Sequence, residues 1–365
     1  MRHCGQQKKR NPRCQTTIRG FLFCSAQDKS RTCTGVLPLP PQSSVSTNST
    51  TWAFLRRQKY TFFNLKPLFK KIFLCQKKIV PLRTLKMYPK NIFMAHKKVL
   101  FITPEIFPYF PEGYISNICR YLPQGIQERE NEIRTFMPKF GCVNEHRHML
   151  HEVIRLSGQN IIIEDTDHPL IIKVASLQNV RMQIYFIDSE DYFKRKTQYY
   201  DADGNFYPDN DSRAIFYAKG VMETVRKLGW EPDIIHCHGW ISALVPLFIR
   251  TVYKDDPLLQ ACKIVYSILP DSFPEKFSSS FSKKLKQTNI PAEYLKHFKN
   301  PGYDQIIQAA IDHSDAIAIT PDTKKKLVTY VEASGKPVLE HPEDDNYVDL
   351  YDEFYDELLM NSEQD

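Results

Sequence analysis

Between Lys97 and Gly141 the hydrophobic and polar positions follow first the period of a strand and then that of a helix. The apolar run Val99–Ile102 is typical of a buried parallel strand, and a proline-rich turn follows it. Apolar side chains then recur at intervals of three and four, which predicts an amphipathic helix: Ile115, Ile118, Cys119, Leu122 and Ile126. Glu132–Met137 is predicted to be a second strand. Such a unit opens a parallel α/β sheet, whose ligands normally bind at the carboxyl ends of the strands.

The same alternation continues through the rest of the chain. Short apolar runs at residues 153–156, 161–163 and 170–175 predict hairpins inserted after the second strand. Residues 215–228 predict a helix with Gly229 as its C-cap, and either Asp209 or Asn210 can cap its start. Further strands are predicted at residues 181–188, 233–238, 263–268 and 315–320, a helix is predicted from Ser242, and residues 271–300 are predicted to be irregular. This order predicts a doubly wound, Rossmann-like parallel sheet.

Charge divides the chain into two unlike parts. Residues 1–93 carry 19 Lys/Arg and one acid, whereas residues 94–365 carry 30 Lys/Arg and 41 acids. The body is therefore acidic, and the overall charge of +7 does not indicate nucleic-acid binding. The basic segment is compatible with a transit peptide, with a membrane-surface segment or with a start codon assigned too early. We favour the last interpretation, with translation starting at Met87 or Met94.

No apolar run reaches the ~18 residues that a membrane span requires, so we expect a cytoplasmic protein without a membrane partner. The body cysteines form no CxxC pair and are expected to be reduced. His236 and His238 lie two positions apart on a predicted strand. We interpret this spacing as placing the two rings on opposite faces of the sheet, and no third ligand of suitable spacing is nearby. We therefore expect no metal site and no cofactor.

The tail, residues 336–365, has eleven acids from Glu340 onward and no Lys or Arg after Lys336. It also carries apolar side chains at helical spacing: Tyr347, Leu350, Tyr351, Phe354, Leu358 and Leu359. This stripe favours a helix that docks on the domain or on a partner over a solvated tail.

Four segments, in order, resemble bacterial glycogen synthases and plant starch synthases, glycosyltransferase family 5. They are PEIFPYFPEG at 104–113, YLPQGIQERENEIRTFMPKFG at 121–141, YPDNDSRAIFYAKGVME at 207–223 and PDIIHCHGWISALVPLFI at 232–249. The last segment is the most specific, because a strand, a His-x-His, a tryptophan and a helix stay in register with the family's PDVVHAHDWHTALVPLLL. The resemblance implies that residues 94–335 form the N-terminal Rossmann-like half of a GT-B glycosyltransferase, whose C-terminal domain would need ~200 more residues.

The resemblance also implies which residues to consider for the site. Asp209 and His238 are weak catalytic candidates. The substrate-binding candidates are Glu105, Gly113, Asn117, Asn210, Arg213 and Trp240. Trp240 is also suited to packing, and Asp209 and Asn210 to helix capping.

Several family residues are replaced. The family's Lys-Thr-Gly-Gly loop, which grips the sugar nucleotide, corresponds here to Pro111, Glu112, Gly113 and Tyr114. The aspartate that follows this loop in the family corresponds to Asn117. The family's Asp-Trp-His corresponds to Gly239, Trp240 and Ile241, and its Ile-His-Asn to residues 268–270, Ile-Leu-Pro. Loss of one preorganised charge at a departing phosphate typically costs ~100-fold in rate. Repositioned Lys97, Arg120 or Arg213 are candidates to compensate.

Two functions of different classes follow from the resemblance. The first is a glucosyltransferase domain that passes glucose from ADP-glucose to an α-1,4-glucan, incomplete or degenerate on its own and completed by a separate C-terminal glycosyltransferase partner. The second is a non-catalytic domain that binds α-glucan or regulates glycogen metabolism. Whether the chain is an enzyme stays open at this point.

Overall fold

The structure, a computed structural model, describes residues 96–177, 180–299, 301–342 and 346–362. The basic segment 1–93, and with it the start-codon hypothesis, lies outside these residues. The described residues all belong to one compact unit, Lys86–Asp365.

Its strands are β1 Lys98–Ile102, β2 Glu132–Pro138, β3 His151–Glu152, β4 Gln159–Ile163, β5 Thr166–Leu177, β6 Met182–Asp188, β7 Ile234–His238, β8 Lys263–Ile268, β9 Ala316–Ile319 and β10 Val338–Glu340. Its α-helices are α1 Tyr114–Glu128, α2 Glu190–Phe193, α3 Asn210–Leu228, α4 Leu244–Thr251, α5 Phe281–Gln287, α6 Tyr303–His313, α7 Lys325–Ser334 and α8 Tyr347–Ser362.

The strands form one sheet in the order β10-β9-β8-β7-β1-β2-β6-β5-β3, with β4 paired to β5. All pairs from β10 to β6 are parallel, and β5 pairs antiparallel with β6, β3 and β4. The chain winds outward from β1 through β2 to β6, then returns to the other side of β1 at β7. The predicted doubly wound sheet is thus confirmed, and its topological switch point lies between β1 and β7.

Side chains of the central strands alternate between two apolar layers. Leu100, Ile102, Ile235 and Cys237 pack in one layer with the buried faces of α3, α4 and α6. Val99, Phe101 and Ile234 point to the other face and pack with Leu122 and Ile126 of α1 and with α8. Burial on both faces explains why these strands are near-continuous apolar runs.

The predicted insertion after β2 is present, with one correction. β4 and β5 form the expected hairpin, and both residues of its tight turn, Glu164 and Asp165, have positive φ, as a right-twisted two-residue hairpin turn requires. The run Val153–Leu156, predicted as a strand, is a turn closed by a hydrogen bond from the Leu156 N–H to the Val153 carbonyl (2.9 Å). The irregular region 271–300 also contains α5.

The acidic tail docks on the same domain. β10 adds a strand to the sheet, and α8 buries a row of side chains over β1, β7, β8 and β9: Tyr351, Phe354, Tyr355 and Leu358. Leu350, predicted to lie on the buried stripe, is 41% exposed. The buried Tyr355 was absent from that stripe.

Ion pairs fix α8 at the amino-terminal edge of the sheet. Lys97, buried just before β1, pairs with Asp352 (2.8 Å) and with Asp356 of α8. Arg129, at the end of α1, pairs with Asp349. Among the described residues, no helix combines the length and the apolar character that crossing a bilayer requires.

Candidate functional site

The loops that follow β1 and β7 leave neighbouring strands at the switch point. β1 pairs with β7 from Val99↔Ile234 to Ile102↔Cys237, so both strands end at the same edge of the sheet. Residues 103–113 follow β1, and Gly239 and Trp240 follow β7. This is the crevice in which open α/β sheets bind ligands.

In the first loop, Gly113 precedes α1 with φ −169°, an extended conformation open to any residue. A Cβ there would meet only the Ser116 hydroxyl at 3.7 Å, so the backbone does not require glycine. The Asn117 N–H donates to the Gly113 carbonyl (2.9 Å), and its buried side-chain oxygen has no partner among the described residues. Tyr114 is 46% exposed and meets the His341 ring edge to face at 6.1 Å.

Gln198 connects two of the predicted site residues. Its amide donates to the carboxylate of Glu105 (2.8 Å), and its backbone carbonyl accepts a hydrogen bond from Arg213 (2.5 Å). Burial raises the pKa of Glu105 above its usual value. Arg213 is fully buried and also donates to the Tyr192 carbonyl (2.8 Å) and to the side chain of Asn210 (2.6 Å). Its hydrogen bonds are therefore made within the domain.

Tyr199 connects two further predicted site residues, Asn210 and Trp240. Its carbonyl accepts a hydrogen bond from the Asn210 amide (2.9 Å), and its ring lies 4.7 Å from that of Trp240. Trp240 is 1% exposed and packs edge to face on Phe273. Its backbone N–H donates to Asp271 (2.8 Å). Four sequence-predicted residues, from three distant segments, are thus brought together around positions 198 and 199.

Asp209 stands at the N-cap position of α3, but its side chain makes no capping hydrogen bond. Both carboxylate oxygens instead accept from Arg195, at 2.7 Å each. The Arg195 guanidinium lies 4.4 Å from the centre of the Tyr207 ring. The structure therefore gives Asp209 a bidentate ion pair in place of the alternative role as a helix cap.

The expectation that His236 and His238 face opposite sides of the sheet is wrong. Residues two apart on a strand share a face, and the two ring centroids are only 4.0 Å apart. His236 shares hydrogen bonds with the hydroxyls of Tyr355 (2.6 Å) and Ser267 (2.7 Å). His238 is 1% exposed, and neither of its ring nitrogens has a partner in the described part of the chain. No group of three or more His, Cys, Asp or Glu within the described residues is placed to hold a metal ion.

Replacing His238 by phenylalanine is expected to preserve the free energy of unfolding at pH 7 and to reduce acid sensitivity. Burial lowers the pKa of His238 to about 3, and that of His236 well below 6.5. Below pH ~6.5 the unfolded chain therefore binds protons that the folded chain does not. The free energy of unfolding should fall with decreasing pH by up to ~1.4 kcal/mol per pH unit for each histidine. Urea titrations between pH 4.5 and 7.5 measure this slope.

The control is His236→Phe, which leaves the hydroxyls of Tyr355 and Ser267 without their partner. It should cost about 1–3 kcal/mol already at pH 7. An unchanged acid slope in His238→Phe would contradict burial of a neutral imidazole at this position.

The three cations considered as replacements for the family's lysine are all engaged elsewhere. Lys97 pairs with α8 at the opposite edge of the sheet, and Arg213 is enclosed. Arg120 is buried, donates to the Met182 sulfur (3.7 Å) and lies over the Tyr121 ring. None of the three is free to meet a phosphate at the first loop.

Sequence reasoning did not consider Asp271 for the site. It follows β8 at the same edge, accepts from the Trp240 N–H and from the Tyr303 hydroxyl (2.9 Å), and is partly buried. Burial raises its pKa to about 6, and nearby Glu105 adds to the effect. The sequence did contain a signal for it: an acidic residue shortly after a predicted parallel strand lies at the edge of the sheet where ligands bind.

Comparisons with known proteins agree with this architecture. A profile of the starch synthase catalytic domain matches residues 98–336. Glycogen synthase from Chlorobium luteolum is 37% identical over 172 residues, which are 47% of this chain and 35% of that protein. Glycogen synthase from Chlorobaculum parvum is 31% identical over 240 residues, 65% of this chain and 48% of that protein.

A solved structure shares the fold. The catalytic domain of starch synthase IV from Arabidopsis thaliana, bound to ADP and acarbose, superposes with a TM-score of 0.55 at 17% identity, over 67% of this chain and 51% of that chain. This chain thus spans about half or less of the length of the relatives it matches. The fold is that of one half of a GT-B glycosyltransferase, and the profile covers more than half of the chain. The chain belongs to the starch synthase catalytic domain family.

Proposed function

We propose that this chain acts in α-glucan synthesis as a glycogen/starch-synthase-type glucosyltransferase domain that transfers no glucose by itself. The observation that carries the proposal is the site around Gln198 and Tyr199. It gathers Glu105, Asn210 and Trp240 at the switch point of a family fold. Transfer from ADP-glucose to an α-1,4-glucan would need a C-terminal glycosyltransferase domain, and a separately encoded domain is the partner that we propose.

The first loop supports the view that the chain is insufficient alone. Glu112 is exposed at the position that the resemblance gives to the nucleotide-gripping loop, and a proline stands where that loop has lysine. A carboxylate repels a diphosphate, whereas a departing phosphate needs preorganised positive charge. A non-catalytic glucan-binding role is the second candidate, and the same loop chemistry favours it.

The residues around the site suit each role as follows. Glu105 and Asn117 would bind sugar hydroxyls, and Gly113 would keep the loop close to the ligand. Asn210, Arg213 and Trp240 would hold the pocket from behind, since all three are buried. Asp209 and His238 are bound or enclosed, and we propose supporting roles for them. The four described cysteines are unpaired, which favours a reducing compartment such as the cytoplasm.

The test is glucose transfer from radiolabelled ADP-glucose to glycogen by the full chain, alone and with a separately produced C-terminal domain of a related glycogen synthase. We expect no transfer above background by the chain alone, and pelleting of the chain with glycogen. The variant Pro111→Lys/Tyr114→Gly restores the family's Lys-x-Gly-Gly. It should raise transfer in the completed reaction by about 100-fold.

Glu112→Gln is the matched control, since it removes the carboxylate without supplying a cation, and it should gain far less. Transfer by the unmodified chain alone would contradict its insufficiency. Failure to pellet with glycogen, combined with no transfer in the completed reaction, would overturn both glucan functions.

A further inference from the structure

The turn after β7 has a backbone conformation that only glycine adopts readily. Gly239 has φ +69° and ψ 176°, a region essentially closed to residues with a Cβ. A Cβ built there would lie 2.3 Å from a carboxylate oxygen of Asp271. Asp271 itself belongs to the loop after the neighbouring strand β8. Its carboxylate therefore occupies the space into which a side chain at position 239 would project.

That carboxylate is held from both sides. One oxygen accepts from the Trp240 N–H (2.8 Å) and the other from the Tyr303 hydroxyl (2.9 Å). The Tyr266 hydroxyl donates to the Gly239 carbonyl (3.0 Å), so the turn is also fixed from β8.

We propose that Asp271 supplies, from the end of β8, the carboxylate that the related Asp-Trp-His motif carries at position 239, and so positions the turn that presents Trp240. Glycine at position 239 leaves the space open, and the carboxylate of Asp271, from the loop after the neighbouring strand, fills it. Asp271 is a positioning residue in this account. The inference rests on the proposed function only in assigning a residue to the same site.

A double-mutant cycle at positions 239 and 271, made in the full chain, tests whether Asp271 replaces a carboxylate at position 239. The measurement is the melting temperature, which requires no substrate. Gly239→Asp should lower the melting temperature by roughly 3–10 °C, because the new side chain meets Asp271 in a strained turn. Asp271→Gly should lower it similarly, since it leaves the Trp240 N–H without its acceptor and the Tyr303 hydroxyl with only the more distant Leu269 carbonyl (3.2 Å). In the double variant the loss should be at least about 2 °C smaller than the sum of the single losses.

Two further variants separate positioning from a general charge effect. Asp271→Asn keeps an acceptor for the Trp240 N–H and should rescue the melting temperature to within about 2 °C of the wild type. Asp322→Asn, in the exposed loop after β9, removes a carboxylate at the same edge and should change it by less than about 1 °C. Additive losses in the cycle, or an Asp271→Asn variant as unstable as Asp271→Gly, would overturn the inference. Neither outcome depends on glucose transfer, so the proposed function and this inference can fail separately.

Discussion

Arg213→Ala is expected to destabilise the fold by about 3–5 kcal/mol, well beyond a loss of ligand binding. The guanidinium is fully buried and donates to the carbonyls of Tyr192 and Gln198 and to the side chain of Asn210. Alanine leaves three buried acceptors without a donor, at a cost of ~1–3 kcal/mol each before relaxation. Burial lowers the pKa of Arg213 to about 10, so the side chain stays charged at neutral pH and its desolvation offsets part of the loss. Urea unfolding followed by tryptophan fluorescence measures the difference.

Arg226→Ala is the matched control on the same helix. Arg226 is partly exposed and pairs with Glu223 and Asp256 at the surface, so its loss should cost less than about 1 kcal/mol. Arg213→Lys should remain destabilised, because an ammonium cannot reproduce the planar fork of donors. A stable Arg213→Ala variant that no longer pellets with glycogen would contradict the structural role and favour direct ligand contact.

The local pattern of the sequence predicted most of the sheet because burial on both faces leaves a strong signal. The central strands are short, largely apolar runs bounded by turns, and β2 and β6 are more polar. All of β1, β2, β6, β7, β8 and β9 lie within a residue or two of their predicted bounds. Gly229 ends α3 in the left-handed conformation, as its position predicts. β10, Val338–Glu340, has only three residues, which is too short for a strand period to be recognised in the sequence.

The site was harder to predict because its contacts join distant segments. Where the family's Asp-Trp-His motif has aspartate, this chain has Gly239. The motif considered alone therefore indicates that a carboxylate has been lost. In the fold, Asp271 brings a carboxylate to the same place from 32 positions further along the chain. Gln198 and Tyr199 belong to a loop without any period, yet they join Glu105 to Arg213 and Asn210 to Trp240. Contacts between residues so far apart in the chain cannot be predicted from the pattern of a single sequence.

In the tail, helical periodicity predicted the helix but not which of its side chains are buried. The helical stripe predicted a helix that docks on the domain or on a partner, and α8 packs against the sheet of the same domain. The stripe did not distinguish Leu350, which lies at the margin of the contact, from Tyr355, which lies at its centre. The partners of Tyr355 are distant in sequence: its hydroxyl shares a hydrogen bond with the ring of His236, 119 positions away.

Tyr355→Ala is therefore expected to destabilise the domain by about 3–5 kcal/mol, as truncation of a fully buried aromatic side chain usually does. The phenol is fully buried between α8 and the sheet, and its removal opens a cavity in the apolar cluster under α8 and leaves His236 with an unpaired nitrogen. Tyr355→Phe keeps the ring and should cost only the hydrogen bond, about 1–3 kcal/mol. Hydrogen exchange of the α8 amides, together with urea unfolding, measures both effects.

Leu350→Ala is the control within the same helix, and its effect should stay within about 0.5 kcal/mol because the side chain is 41% exposed. The ion pairs of Lys97 with Asp352 and Asp356 remain in all three variants, so a large loss in Tyr355→Ala alone isolates the apolar contact. Equal and small effects of Tyr355→Ala and Leu350→Ala would mean that α8 is a solvated tail held by charge. A large difference between them makes α8 part of the domain core, and the sheet face that it covers would then be closed to any second domain.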